Sequence, residues 1–286
     1  PVLFFVILIA PVVLNNLSFV MGVSPQVREE AHRILFQIRI PHHADPAVWF
    51  NASSVFQIFL MLSGLYLARQ KGLRWLLGVP LLLGTLLTFM VILTRSPSLA
   101  LLFPWRVSVV LIPLSVTILL SRLASLIPSE AEQPKSEILI WILPSFATAL
   151  IAITLLVGWV RISLDFQRKR SQPERDLMAF VANYKQPEDV YLIPVKLQDF
   201  RLASGAPIYV DFKSTPYHPL EVLEWYRRYQ LANEFYRFPS CERLKQFGQE
   251  GINHLVITTA LSLDCPTLEK IYSDNNYQLF RLQSSD

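Results

Sequence analysis

Three polar side chains capable of metal binding or proton transfer crowd a short segment near the start of the chain. His42, His43 and Asp45 lie between Pro41 and Pro46, just before an apolar run. Imidazole and carboxylate groups can hold a divalent metal ion or move a proton near neutral pH. Adjacent histidines seldom reach one ion together, so the alternative is that they only hydrogen-bond backbone or headgroups. The segment is a candidate catalytic or metal site, and a divalent metal ion is the cofactor it would take.

A lone arginine, Arg106, lies within a long apolar stretch, residues 98–121. An ionisable residue inside such a stretch is a candidate functional residue, and a guanidinium can bind a phosphate through two hydrogen bonds. The structural alternative is that Arg106, beside Trp105, only extends to a headgroup at a membrane surface. The span can also begin after Arg106, which would leave residues 99–105 as a short interfacial or re-entrant piece.

A third group of candidates lies in residues 199–228, DFRLASGAPIYVDFKSTPYHPLEVLEWYRR. The pattern predicts a strand over 207–212, a turn-rich loop, and a helix that begins near Leu220. Ligands of open α/β sheets bind at the carboxyl ends of strands. The predicted substrate-binding residues of this stretch are Arg201, Asp211, Lys213, Tyr217 and His218. The alternative for Asp211 and Lys213 is a local salt bridge that shapes the turn.

The composition divides the chain into two parts with unlike solvents. The chain is 52% hydrophobic with a mean hydropathy of +0.36, which is typical of a multi-span membrane protein. Residues 1–160 hold 10 Lys and Arg against 6 Asp and Glu, whereas residues 161–286 hold 16 of each. The net charge of +4 therefore belongs to the apolar part, where it indicates flanking anchors rather than nucleic-acid binding.

The elements that position these candidates follow from the hydrophobic pattern. We predict a transmembrane region over residues 1–160, with an amphipathic interfacial helix over 25–40. Its apolar runs predict about five spans, at residues 1–21, 52–68, 75–93, 98–121 and 138–160. Because Pro1 opens directly into the first run, we expect a missing amino-terminal portion, or a partner subunit, to share the site.

Residues 161–286 predict a soluble α/β domain with its own core. The predicted strands are 189–193, 207–212, 254–259 and 277–282, and the predicted helices are 173–184, 220–236, 241–250 and 267–273. Alternating strands and helices favour a small Rossmann-like, mostly parallel sheet. The sequence has no glycine-rich phosphate-binding motif, so a nucleotide cradle is unsupported. The predicted fold class is a multi-span α-helical membrane protein with a carboxyl-terminal α/β domain.

The two cysteines, Cys241 and Cys265, both lie in this domain. They predict either one disulfide in an oxidising compartment or two free thiols. A bridge would favour an extracytoplasmic domain. The flanking Lys and Arg residues, counted simply, would instead place the domain in the cytoplasm.

Three motifs carry a resemblance to a known family: RIPHHADP at 39–46, LFPWR at 102–106, and the stretch 199–228. They resemble a bacterial family of multi-pass membrane proteins of unassigned activity. That family is similar in layout to the GT-C-type glycosyltransferases, which use lipid-linked sugars. The resemblance extends from about residue 35 to the end of the chain. It implies a bacterial inner-membrane protein with a periplasmic or lumenal carboxyl-terminal domain. The catalytic carboxylate of GT-C enzymes lies in a first external loop, which has no counterpart in this chain.

Two functional hypotheses follow. In the first, the chain is a glycosyltransferase, or a related protein, that uses a polyprenyl-phosphate sugar at the outer membrane face. Such a transfer needs a base for the acceptor and cationic groups or a metal for the leaving phosphate. In the second, the chain is a non-catalytic membrane scaffold or transport component, and Arg106 only packs or anchors a lipid.

Overall fold

The computed structural model describes residues 22–125 and 137–283, together with Ile7, Ala10, Pro11 and Leu14. The predicted span 1–21 therefore lies outside the described residues except at those four positions. The chain divides into two compact units. We call Leu35–Asp165 the helical unit, and Pro1–Ile34 with Phe166–Asp286 the sheet unit.

The elements follow in chain order. The first helices are α1 (Pro25–Ile34), α2 (Pro41–Ala44), α3 (Pro46–Trp49), α4 (Ala52–Leu67), α5 (Lys71–Thr94), α6 (Pro97–Ala100), α7 (Ser108–Ala124) and α8 (Glu137–Arg170), with a π-helical turn at Leu35–Arg39 and a 3₁₀ turn at Pro104–Val107. The remaining elements are α9 (Arg175–Tyr184), β1 (Tyr191–Leu192), α10 (Phe200–Ser204), α11 (Pro219–Arg237), α12 (Cys241–Gln249), β2 (His254–Thr258), β3 (Leu268–Ser273) and β4 (Tyr277–Leu282).

Within the described residues, three helical segments are long and apolar enough to cross a membrane. They are Lys71–Thr94, Pro97–Ala124 and Thr148–Arg170, and the shorter helix Ala52–Leu67 is also apolar. Large side chains such as Val109 and Leu155 are exposed on these helices. Helices that are apolar on their outer faces are consistent with a membrane protein, because lipid rather than water is then the favoured solvent.

Two arginines close the carboxyl-terminal end of α4. The guanidinium of Arg122 donates to the Leu67 carbonyl from Nε at 3.1 Å and Nη2 at 3.0 Å. Arg74 Nε donates to the Ala68 carbonyl at 2.7 Å. The last carbonyls of a helix have no partner inside it, so these bonds satisfy groups that would otherwise be costly in an apolar environment.

The apolar stretch around Arg106 is interrupted. The short helix α6 ends near Leu101, Phe103 adopts a left-handed φ of 51°, and the 3₁₀ turn begins at Pro104. The break has a local cause, because a proline disfavours the α conformation in the residue before it. The long helix α7 therefore begins at Ser108, after Arg106, whereas the membrane-length segment Pro97–Ala124 includes Arg106, so both predicted arrangements of the span stay open.

The sheet is mixed, so the prediction of a mostly parallel, Rossmann-like sheet was wrong. The strand order is β1-β2-β4-β3, with β1 and β2 parallel and both other pairs antiparallel. The predicted helix 267–273 is strand β3, which pairs with β4 and has a bulge between Lys270 and Tyr272. The two strands are joined by a tight turn, in which Asp274 Oδ1 accepts from the backbone of Asn276 and Tyr277. Strands joined by so short a turn must run antiparallel.

The predicted strand 207–212 forms only one bridge, between Ile208 and Tyr191. The chain then leaves the sheet and enters the loop that precedes α11. The predicted strand 189–193 is similarly short, because only Tyr191–Leu192 pairs with β2.

The core of the sheet unit lies between the strands and the helices that cover them. Leu177 and Val181 of α9 pack with Ile193, Val256 and Leu279. Helix α1 packs along α11 in the same unit.

A disulfide between Cys241 and Cys265 joins the first residue of α12 to the loop after β2, with Cα atoms 5.6 Å apart. Of the two alternatives for the cysteines, the paired one is confirmed.

Candidate functional site

The helical unit gathers basic side chains around Phe103. The rings of His42 and His43 are 4.3 Å apart between centroids, and the His43 ring lies 6.5 Å from that of Phe103. The guanidinium carbon of Arg106 lies 5.2 Å from the centre of the same Phe103 ring. Partial burial and the nearby His42, Arg106 and Arg39 lower the pKa of His43, so its imidazole is neutral near pH 7. We call Arg39, His42, His43 and Arg106 the basic cluster.

The carboxylate of Asp45 caps a helix instead of joining the histidines of this cluster around a metal ion. Its Oδ1 accepts from the backbone N–H of Ala47 at 2.9 Å, which caps the amino end of α3. Within the part of the chain that the structure describes, no group of three or more His, Cys, Asp or Glu side chains could hold a metal ion. His42, His43 and Asp45 are therefore not brought together as three ligands of one metal ion.

An apolar groove adjoins the basic cluster. Its cavity measures about 580 Å³ and is lined by Pro46, Ala47, Trp49, Phe50, Ile58, Thr85, Thr88, Phe89, Ile92 and Trp105. The two threonine hydroxyls donate to carbonyls of their own helix at 2.8 Å, so they offer no free donor to an occupant. The Trp105 ring packs edge-on to Trp49 at 5.9 Å, and its buried Nε1 has no partner among the described residues. A hydrocarbon chain matches such walls.

The groove and the basic cluster are close together along the chain at two places. Trp105 of the groove immediately precedes Arg106 of the cluster in the 3₁₀ turn. Pro46 and Ala47 of the groove, at the start of α3, follow the histidines of α2 by three to five positions. The helical unit thus places cationic side chains next to a hydrocarbon-like cavity, which is the arrangement that an amphiphile with an anionic head requires.

The sheet unit has a separate pocket of about 430 Å³ between the loop after Ile208 and the first turns of α11. Of the five residues predicted here, Arg201 and Asp211 line this pocket. Lys213, Tyr217 and His218 do not line it. Ile208, which lines the pocket, forms the single bridge to Tyr191 of β1.

Asp211 holds the loop in shape rather than offering a free carboxylate. It is 2% exposed, and its two oxygens accept from the backbone and the hydroxyl of Ser214. Its carbonyl accepts from Trp225 Nε1 at 2.9 Å, which also places Trp225 in the core. Lys213 lies 3.7 Å from Asp199 instead. The predicted alternative of a salt bridge between Asp211 and Lys213 was therefore wrong, because each has a different partner.

Two side chains of opposite charge line this pocket without being paired. Arg201 and Glu221 both line it, and neither has an ion pair or side-chain hydrogen bond among the described residues. Glu221 was missed by the sequence analysis, because an acidic residue in the first turn of a helix commonly serves only the helix dipole. Tyr217 is 89% exposed, and His218 occupies the position before the first residue of α11.

A charged network also borders the pocket. Glu224 accepts from Arg227 at 2.8 Å and from Arg228 at 2.7 Å. Arg227 also pairs with Glu250 at 3.0 Å, and Glu250 accepts from the Tyr209 hydroxyl at 2.8 Å. The hydrogen bond from Arg227 is the largest influence on Glu224 and lowers its pKa to about 2. Glu224 is therefore ionised across the physiological range and is a poor general base.

A buried imidazole lies elsewhere in the sheet unit. His254 is 2% exposed and stacks on Tyr191, with ring centroids 4.6 Å apart. Its Nδ1 lies 2.8 Å from Asn253 Oδ1, which also accepts from the backbone of Val190. Burial lowers the pKa of His254, although Asp189 at 3.6 Å opposes this. Because His254 begins β2, the contacts of its ring with Tyr191 and Asn253 lie at the amino ends of the parallel strands. Their role is to join β1 to β2.

Residues 172–232 match the model of a domain of unknown function, DUF6798. The matched segment includes Arg201, Asp211 and Glu221 of the sheet-unit pocket. Neither a curated protein nor a solved structure matches the chain.

Proposed function

We propose that the chain is an integral membrane protein that binds a polyprenyl-phosphate sugar, as a GT-C-like glycosyltransferase or a related protein, at the outer face of a bacterial inner membrane. The observation that carries this proposal is the apolar groove beside the basic cluster. The hydrocarbon chain occupies the groove, whose apolar walls offer it van der Waals packing rather than a gain from leaving water. The phosphate lies against Arg106, whose planar guanidinium can donate two parallel hydrogen bonds to it.

His43 has a defined part in this arrangement. Its lowered pKa leaves it neutral, so it can share a proton with a ligand hydroxyl or phosphate rather than only attract charge. A bound phosphate would raise the pKa of His43, because an adjacent anion favours the imidazolium form.

The disulfide supports the outer face. Disulfides persist in the periplasm and are rare in the cytosol, and Cys241–Cys265 is such a bridge. The simple count of Lys and Arg favours the opposite side, but a long folded tail is little governed by flanking charges. We therefore give the disulfide more weight.

A second candidate function is a non-catalytic component that carries or scaffolds a lipid-linked substrate. It is favoured by the hydrogen bonds of Asp45 and Asp211, since both carboxylates already serve as a helix cap and a loop anchor. A carrier needs the same groove and cluster but no general base.

The test of binding uses the full chain in lipid nanodiscs, with a polyprenyl phosphate and the matching polyprenol as probes in native mass spectrometry. We expect Arg106→Gln to weaken binding of the phosphate about tenfold, near 1.4 kcal/mol, and to leave the alcohol unchanged. Arg69→Gln, which changes an exposed arginine elsewhere in the helical unit, is the control. Equal binding of phosphate and alcohol by the unaltered chain would refute the proposal.

A substitution in the apolar groove tests whether the hydrocarbon chain of the ligand binds there. Ile92→Trp fills the groove and should weaken binding of both probes. Leu93→Trp changes a neighbour that does not line the groove and should weaken binding of neither.

Transfer of a labelled sugar from a polyprenyl-phosphate sugar then separates the two functions. An enzyme releases the lipid phosphate in step with transfer, and a carrier binds without release.

A further inference from the structure

The amino-terminal end of α11 carries an exposed apolar rim. Leu202, Tyr217 and Leu220 are 79%, 89% and 54% exposed. Arg201, Pro216 and Leu220 line the sheet-unit pocket, so Leu202 and Tyr217, which directly follow two of these, lie at its edge. Large apolar side chains grouped in this way mark a surface that something covers.

The rim is built by the local fold and is not a packing defect. In α10, Phe200 and Ser204 are buried, and a helix directs residues four positions apart to one face and the residue between them to the other. Leu202 is therefore held away from the core. Tyr217 lies in the loop fixed by Asp211, and its hydroxyl has no hydrogen-bond partner in the described ranges.

We infer that this rim is a membrane-docking surface: Leu202, Tyr217 and Leu220 enter the headgroup region of a phospholipid bilayer, and Arg201 binds a lipid phosphate. Tyrosine and leucine beside a cation is the composition that interfacial surfaces favour, because the rings and aliphatic groups lie in the apolar boundary and the charge stays at the phosphates. Arg201 supplies the complementary charge, since it is exposed and unpaired in the part of the chain that the structure describes.

The connection to a membrane-length helix favours a bilayer as the occupant. The segment Thr148–Arg170 is long and apolar enough to span, and only residues 171–174 separate it from α9. Four residues extend at most about 14 Å, so the domain stays near a bilayer surface. The inference depends on the chain being in a membrane and not on the ligand proposed above.

The test uses single-cysteine variants of the full chain in liposomes. Leu202→Cys and Tyr217→Cys place a thiol on the rim, and Phe238→Cys is the matched control. Phe238 is also exposed, at 61%, but lies at the other end of the 19-residue helix α11, about 28 Å away. Both native cysteines are in the disulfide, so an environment-sensitive fluorophore reacts only with the new thiol. One reactive thiol per chain and an unchanged elution profile confirm that each variant is folded.

Insertion to the depth of interfacial side chains should give about a twofold loss of emission at positions 202 and 217 with a nitroxide lipid, and no loss at 238. Iodide in water should quench position 238 alone. Quenching by iodide at all three positions would overturn the inference. So would protection of 202 and 217 from iodide without quenching by the lipid, because a protein surface would then cover the rim. If the unaltered chain does not bind polyprenyl phosphate but positions 202 and 217 still insert into the bilayer, the proposed function is refuted and this inference is not.

Discussion

Gly64 of α4 lies directly against Ser115 of α7. A Cβ at position 64 would lie 2.5 Å from the Ser115 hydroxyl oxygen and 2.7 Å from its Cα. Ser115 is fully buried, and its hydroxyl has no partner among the described residues. Small residues at a helix crossing let the backbones approach closely, which is a main source of stability between helices in lipid.

Gly64→Ala should therefore destabilise the helical unit. The added methyl forces α4 and α7 apart, at a cost of about 1–3 kcal/mol. Thermal unfolding in detergent measures the change. Gly158→Ala is the control, because a Cβ there meets nothing within 4 Å and alanine favours a helix by up to about 1 kcal/mol. Equal stability of the two variants would contradict the close crossing.

Arg122→Met should also lower the stability of the helical unit. It removes both donors to the Leu67 carbonyl and leaves that carbonyl unsatisfied, which costs about 1.5–3 kcal/mol for a bond to a charged group. The matched control is Arg69→Met, which alters an exposed arginine in the turn after α4. The midpoint of thermal unfolding should fall for position 122 and stay unchanged for position 69.

Replacing both Cys241 and Cys265 by serine should destabilise the sheet unit. The bridge closes a segment with a sequence separation of 24, and a loop of that size contributes about 3–4 kcal/mol. Pulse proteolysis of the full chain measures the loss. A reductant should weaken the unaltered protein to the same extent and leave the double variant unaffected. An effect of the reductant on the double variant would show that the bridge is not its target.

The lowered pKa of Glu224 predicts that the sheet unit loses stability in acid. Its pKa in the folded state is about 2, below the ordinary value of 4.5, because Arg227 and Arg228 donate to it. The unfolded state therefore binds the proton first. The contribution is present above about pH 4.5 and is lost as pH falls through about 2. Glu224→Gln should flatten this part of the curve of unfolding temperature against pH. Glu188→Gln removes an exposed carboxylate that lies outside the helices and has no ion pair in the described ranges, so it should leave the curve unchanged.

Two substitutions of Asp45 distinguish a capping role from a catalytic one. Asp45→Asn keeps an oxygen that can accept from Ala47, so stability and binding of polyprenyl phosphate should be retained. Asp45→Ala removes the cap and should cost about 1 kcal/mol. If sugar transfer is found and Asp45→Asn abolishes it without loss of stability, the carboxylate acts in proton transfer as well.

Local signals were enough to predict several elements of the sheet unit. Pro219 at the first position of α11, the Ser240 cap of α12 and Gly251 with its φ of +86° each give a boundary that depends on neighbouring residues alone. Strand β3 could not be predicted in this way. Its Glu269 and Lys270 are acceptable in a helix, and only pairing with β4 makes it a strand.

The candidate pocket, too, could be predicted from the sequence only in part. Arg201 was found in the polar segment before the predicted strand 207–212, and Asp211 near the carboxyl end of that strand, where ligands usually bind. The partner of Asp211 was not found, since Lys213 and Ser214 follow it by two and three positions and only the loop geometry selects Ser214. Glu221 depends on the packing of α11 against that loop, which leaves no signal in the sequence.

The bulge in β3 has a consequence for how copies of the chain meet. β3 is the outer strand of the sheet, and its exposed Glu269 and Lys270 precede the register shift at Tyr272. A bulged, charged margin offers no straight row of amide and carbonyl groups to an incoming strand. Crowding in a bilayer should therefore not drive fibril growth or strand exchange along this margin, and any self-association will use side-chain surfaces instead.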